Sequence, residues 1–255
     1  MKLKISAVLI AAAAIVIAQQ PPQGQPGRGG RGGGGRGNPV SPLEETGFRP
    51  IFDGTMKSWD GDPDFWKIVD GVLTGETTTE HQPKQNIFCI WRGGQPGDFE
   101  LKLQYKLSGA DTGNSGIQYR SEELPDVARW VLKGYQADID ARQMFSGQIY
   151  EERGRGFLAL RGMFSYVPDG KKVGSVSSLG DSDELKKLIK TDDFNDIHIV
   201  AKGNLIIQSI NGHVMSMLLD DDRTGRRMGG LIGIQLHRTT GPMKIEAKNI
   251  RLKDL

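Results

Sequence analysis

From Leu43 onward, apolar and polar residues alternate with a period of two. Residues 99–107 (FELKLQYKL) set Phe99, Leu101, Leu103, Tyr105 and Leu107 on one face and Glu100, Lys102, Gln104 and Lys106 on the other. That is the pattern of a half-buried strand. Asn211-Gly212 between residues 205–210 and 213–218 predicts a hairpin, because Asn and Gly accept the positive φ of a two-residue turn. Asp70-Gly71, within residues 66–73, predicts a second. Residues 243–252 (MKIEAKNIRL) alternate up to Ala247 and resume out of phase at Ile250 and Leu252, which predicts a bulge near Asn249. One short helix is expected, capped by Asp181 with Glu184 three residues on and Leu185, Leu188 and Ile189 as its apolar stripe. Glycine or proline recurs about every eight to twelve residues, and the chain lacks the long helices that parallel sheets need as crossovers. The fold class expected is all-β: a two-sheet antiparallel sandwich of jelly-roll type with one helical insertion.

Before Leu43 the alternation is absent. Lys2 and Lys4 precede an apolar run at residues 5–18, with small residues at Val16 and Ala18. This predicts a secretory signal peptide cut after Ala18; the run is shorter than the ~20 residues of a bilayer span. No cysteine follows it, which excludes a lipoprotein anchor. Residues 19–42 hold nine glycines and five prolines and read as a disordered linker, leaving 43–255 as the folded domain. The expected location is secreted or periplasmic, with no transmembrane segment after cleavage.

Composition narrows the chemistry. Of 255 residues, 37% are hydrophobic and 25% charged, enough to build a core. Cys89 is the single cysteine, which excludes a disulfide framework and a cysteine-built metal centre within this chain. Residues 1–42 carry five cations and no acids, so the remainder, with 28 cations and 31 anions, is near neutral. A nucleic-acid partner would call for a concentrated basic face and is not expected.

Three strands carry unusual groups on the face opposite their apolar residues. Residues 231–237 (LIGIQLH) leave Gly233, Gln235 and His237 there; residues 134–140 (GYQADID) leave Gln136, Asp138 and Asp140; residues 113–120 (GNSGIQYR) leave Asn114, Gln118 and Arg120. Amides and carboxylates of this kind bind sugar hydroxyls, and a glycine lets a ring approach the backbone. Two carboxylates, an arginine and a histidine also supply groups for proton transfer. Elsewhere, Asp220, Asp221 and Asp222 lack the ligand spacing of a calcium loop and read as a charged turn. His81, His198 and His213 read as loop, surface-strand and hairpin residues, and Cys89 as a buried small hydrophobe. No Gly-x-Ser-x-Gly elbow and no Glu-x-Asp-x-x-Glu strand is present, which disfavours an α/β-hydrolase and a retaining glucanase.

These segments, in this order, carry a resemblance: FRPIFDGTMKSWDG at 48–61, WKIVDGVLTG at 66–75, GDFELKLQYKL at 97–107, GNSGIQYR at 113–120, GYQADID at 134–140, GQIYEERGRG at 147–156 and GLIGIQLHRTTGPMKIEAKNIRLKDL at 230–255. The chain resembles the secreted bacterial 3-keto-disaccharide hydrolase domain family, which has a concanavalin A-like lectin/glucanase sandwich. Two departures stand out: Gln136 and Asp138 where many members read Glu and Gln, and no Trp beside Asn195. The resemblance implies an oxidised glycoside as the partner. Asp138 or His237 would then be the base, Arg120 the enolate stabiliser and Tyr150 the acid. Gln136 and Gln235 would bind hydroxyls, with Gln118, Asp140 and Asn114 as further substrate contacts. No cofactor is implied outright; a divalent metal held by Asp and His stays open, although no ligand spacing shows it. A carbohydrate-binding module without turnover, or a structural adhesion domain, are the alternatives.

Overall fold

Strands follow one another along the chain as β1 (Arg49–Pro50), β2 (Trp59–Asp60), β3 (Trp66–Val69), β4 (Val72–Thr77), β5 (Ile87–Trp91), β6 (Phe99–Gly109), β7 (Asn114–Glu123), β8 (Leu132–Asp140), β9 (Ile149–Glu152), β10 (Gly156–Ala159), β11 (Met163–Val167) and β12 (Gly174–Ser178). The short helix α1 (Ser182–Lys186) precedes β13 (Asn195–Lys202), β14 (Leu205–Ile210), β15 (His213–Asp220), β16 (Leu231–Leu236) and β17 (Met243–Asp254). The computed structural model describes residues 46–255, which fall within a single unit, Glu45–Leu255. The expected signal peptide and linker lie outside the described residues.

Two sheets face each other. One runs β12-β11-β15-β14-β13-β6-β17-β4-β3, with β1 added on β17; the other runs β10-β9-β8-β7-β16-β5-β2. Among the described residues every pairing is antiparallel except β11 with β15, which is parallel. Alternation builds the interior from both sides: Phe99, Leu101, Leu103 and Tyr105 of β6 meet Ile117, Tyr119, Tyr135, Ala137, Ile232 and Ile234 of the other sheet in one continuous core. Full burial of each aliphatic side chain contributes roughly 1.5–3 kcal/mol against chain entropy.

The local signals explain the turns. Asn211 (φ 50°) with Gly212 (φ 81°), and Asp70 (φ 50°) with Gly71 (φ 75°), occupy the left-handed region at both central positions, as hairpin turns of this length require. Asn249 (φ 53°) lies inside the register shift between Lys248 and Arg251 that lets β17 change phase. Asp181 caps α1 by accepting the amides of Asp183 and Glu184. The helix ends sooner than the stripe suggests: beyond Lys186 the bonds Leu188 N to Leu185 O and Ile189 N to Lys186 O are tighter, three-residue turns. Ile189 is therefore buried while Leu188 is exposed. No helix among the described residues is long and apolar enough to cross a membrane.

Candidate functional site

Cross-strand register places a polar row on the outer face of the seven-stranded sheet. Phe157, Tyr150, Gln136, Gln118 and Gly233 are successive partners from β10 to β16. One row away, Asp138 pairs with Gly116, and Gln235 pairs with Phe88 on β5. Gly116 is needed here: a Cβ at this position would stand 2.5 Å from Cγ and Cδ of Gln136, whose side chain lies across β7. Gln136 Nε2 also donates to Asp138 Oδ1 at 2.6 Å.

A sheet face exposed to water would leave these groups wet, yet Gln118 and Gln235 are 0% exposed, Gln136 2% and Asp138 6%. Two segments close around the edges of this face. Loop 124–131 leaves the β7–β8 end and reaches past β16 to β5, where Trp130 O accepts from Phe88 N at 2.9 Å. The Trp130 indole donates to Asp60 Oδ1 at 2.8 Å, and its ring packs on Phe88, Ile90, Leu132 and Leu231. At the other corner, Asn86 Nδ2 donates to Glu152 Oε1 at 3.2 Å and Arg153 to Gln85 Oε1 at 3.3 Å. Strands β8, β7 and β16 stand between β9 and β5, so this contact requires the sheet to curl about its outer face.

Burial sets the electrostatics. The Asp138 carboxyl is pushed up to about 7, first by desolvation and then by Glu152 and Asp140, against the lowering effect of the Gln136 bond. Burial also raises Tyr150, with Glu152 and Asp138 adding to it, so the phenol holds its proton. His237 is lowered by burial, opposed by its backbone bond and by Glu152. Its Nδ1 stands 2.6 Å from the Arg238 carbonyl; a carbonyl only accepts, so the proton belongs on Nδ1 and Nε2 keeps a lone pair. On this face four buried amide atoms lack any partner: Gln118 Oε1, Gln136 Oε1, and both Oε1 and Nε2 of Gln235. Each such atom costs about 1–3 kcal/mol when buried, so this face holds polar groups that the fold itself leaves unsatisfied.

The structure thus brings Gln118, Gln136, Asp138, Tyr150 and Gln235 onto one face, with His237 just beyond the end of β16 and the Glu152 charge acting on His237, Tyr150 and Asp138 alike. Three expected members are elsewhere or otherwise occupied. Arg120 is at φ 46°, in a bulge where β7 loses register with both neighbours, and this turns the side chain off the outer face. It is 1% exposed and donates to the carbonyls of Gly97, Gly203 and Arg227 and to Asp98, so it ties the two sheets together instead of meeting an enolate. Asp140 is occupied by its own loop, accepting from the amides of Met144, Phe145 and Ser146 and from the Ser146 hydroxyl. Asn114 pairs with Asp140 at the end of β7, outside the glutamine rows. Sequence reasoning passed over Glu152 and Asn86. Glu152 was accessible to it, since the alternation that puts Tyr150 outward puts Glu152 outward too; Asn86 lies in an aperiodic stretch and gives no signal.

The remaining candidates are structural. Asp220 binds Arg155 and the Tyr135 hydroxyl, His81 stacks on Phe65, His198 bonds Glu100, His213 is exposed at its hairpin, and Cys89 is buried. Among the described residues no group of three or more His, Cys, Asp or Glu is arranged to hold a metal ion.

A family model described as the 3-keto-alpha-glucoside-1,2-lyase-like domain matches residues 47–253. The chain belongs to this family. Every residue of the site lies inside the matched span of the lyase-like domain, whose family is carbohydrate-active. Solved structures share its fold. A glycosyl-hydrolase candidate from Parabacteroides distasonis ATCC 8503 is 18% identical, with 82% of this chain and 99% of that chain covered at a TM-score of 0.53. A second from the same organism is 17% identical over 85% and 97% at 0.52, and the carbohydrate-binding module CBM66 from Bacillus subtilis is 12% identical over 80% and 99% at 0.51. At such identities the likeness is one of fold. No curated protein matches the chain. The lyase-like domain is thus a carbohydrate-family sandwich whose polar groups gather on one curled face.

Proposed function

We propose that this protein is an exported enzyme that cleaves 3-keto-glycosides by elimination. The observation that carries the reading is Asp138, a buried carboxyl whose pKa is pushed up to about 7, beside glutamines that leave four amide atoms without a partner. A ketone at sugar carbon 3 acidifies the proton on carbon 2. Asp138, when ionised, takes that proton; the electron pair forms the C1–C2 double bond, and the bond from carbon 1 to the leaving oxygen breaks. Tyr150, which keeps its proton, supplies one to the departing oxygen. Gln235 Nε2 donates to the enolate oxygen in the place first expected for Arg120, and the free amide oxygens accept from the sugar hydroxyls. His237, neutral with a lone pair on Nε2, is the second candidate base. Water then adds across the new double bond. The family description supports this chemistry, and paired carboxylates of the ordinary glycosidase kind are not needed for it.

The test is a panel of 3-keto and unoxidised disaccharides, each assayed with and without chelator. Release of sugar from the oxidised set alone is expected, and from neither set after Asp138→Asn. Sugar binding by calorimetry with all 3-keto substrates left intact would instead make the face a binding module.

A further inference from the structure

Beyond β9 the outer face changes character. Phe157, the cross-strand partner of Tyr150, is 39% exposed, and Phe145 in the turn after β8 is 38% exposed. Their rings stack at 5.5 Å and 23°, and Tyr150 meets Phe157 edge-on at 5.0 Å. A single exposed apolar residue is ordinary, but a stacked pair continuous with a buried polar site marks a contact surface. Strands lie about 4.7–4.9 Å apart, so Phe157 is roughly 10 Å along the row from Gln136, about the span of two linked six-membered rings. A sugar seated on the glutamines with its anomeric bond at Tyr150 would therefore direct its leaving group over the two phenylalanines. Here the Gln148 amide is directed to its own turn, donating Nε2 to the Met144 carbonyl at 2.8 Å. This half offers carbon where the glutamine half offers hydrogen bonds.

We propose that Phe145 and Phe157 form a leaving-group subsite that stacks a flat aromatic aglycone. For turnover this rests on the 3-keto reading above; for binding it does not. The test compares phenyl with methyl 3-keto-glucoside in turnover, and phenyl with methyl glucoside in calorimetry, for wild type, Phe145→Ala, Phe157→Ala and Phe157→Trp. Each alanine variant is expected to lower the phenyl-to-methyl ratio of kcat/KM about five- to tenfold relative to wild type, the scale of an aromatic contact. Phe157 also packs on Tyr150, so any loss common to both substrates cancels in the ratio, and Phe157→Trp should keep the ratio. Comparison within one substrate pair cancels the better leaving ability of phenolate. An unchanged ratio in both alanine variants, or equal losses on both substrates, overturns the subsite while leaving the reaction standing. If no 3-keto substrate is cleaved yet the calorimetric preference for phenyl falls in the alanine variants, the reaction fails and the subsite stands.

Discussion

Asp138 sits where its charge is opposed by burial and by two other carboxylates, and the sign of the consequence is definite. Its folded pKa lies above the unfolded value, so the native state holds the proton longer. Stability then falls as pH rises from about 4 towards 7 and is level above that. Asp138→Asn should therefore melt higher than wild type at pH 8, by about 2–4 °C for each kcal/mol recovered, with the gap closing near pH 4 in calorimetric scans. The same substitution should lower turnover of a 3-keto-glucoside by about 10²–10⁴-fold, and wild-type kcat/KM should climb with pH through about 7. Arg120 makes the opposite case. Simple alternation along IQYR put it beside Asp138, because nothing in those four letters announces a left-handed residue that shifts the register. With its four partners only half-buried, Arg120→Met should cost about 1–3 kcal/mol in urea unfolding, while kcat/KM of the folded fraction stays within a few-fold. A loss of turnover without a loss of stability would return Arg120 to the reaction.

At the level of elements, period-two alternation and Asn-Gly or Asp-Gly punctuation made β3, β6, β14, β15 and β17 readable to within a residue or two, together with the start of β4 and the bulge at Asn249; β4 runs four residues past the expected hairpin. These are local features, in which a few residues fix backbone geometry directly. Loop 124–131 and the Asn86–Glu152 contact were not readable, since both join residues far apart in the chain through the curl of a whole sheet. Asn86 serves as a clasp between β5 and β9. Asn86→Asp would set a carboxylate against Glu152 and repel it. We expect KM for a 3-keto-glucoside to rise about tenfold with a smaller change in kcat, and Asn86→Gln to recover part of the loss in the same steady-state assay.

On the scale of the molecule, the two sheets contribute to one continuous core, and Arg120 bridges them at a second point. Apart from the small cluster of Phe88, Ile90, Leu132 and Leu231 on the curled face, neither sheet has a separate interior to fall back on. Residues 43–255 expressed alone should unfold in a single transition, with calorimetric and van't Hoff enthalpies in agreement. Two transitions would mean that the sheets come apart in stages. The sandwich class followed from strand spacing, but which of the two faces would curl did not, because curling depends on how register shifts accumulate across seven strands.

The glutamines that line the curled face carry no formal charge. Ligand capture by such groups draws little on long-range attraction, so a Debye length shortened from about 10 Å to 3 Å by molar salt should leave sugar affinity almost where it was. A site of this make-up keeps its grip in brine as well as in fresh water.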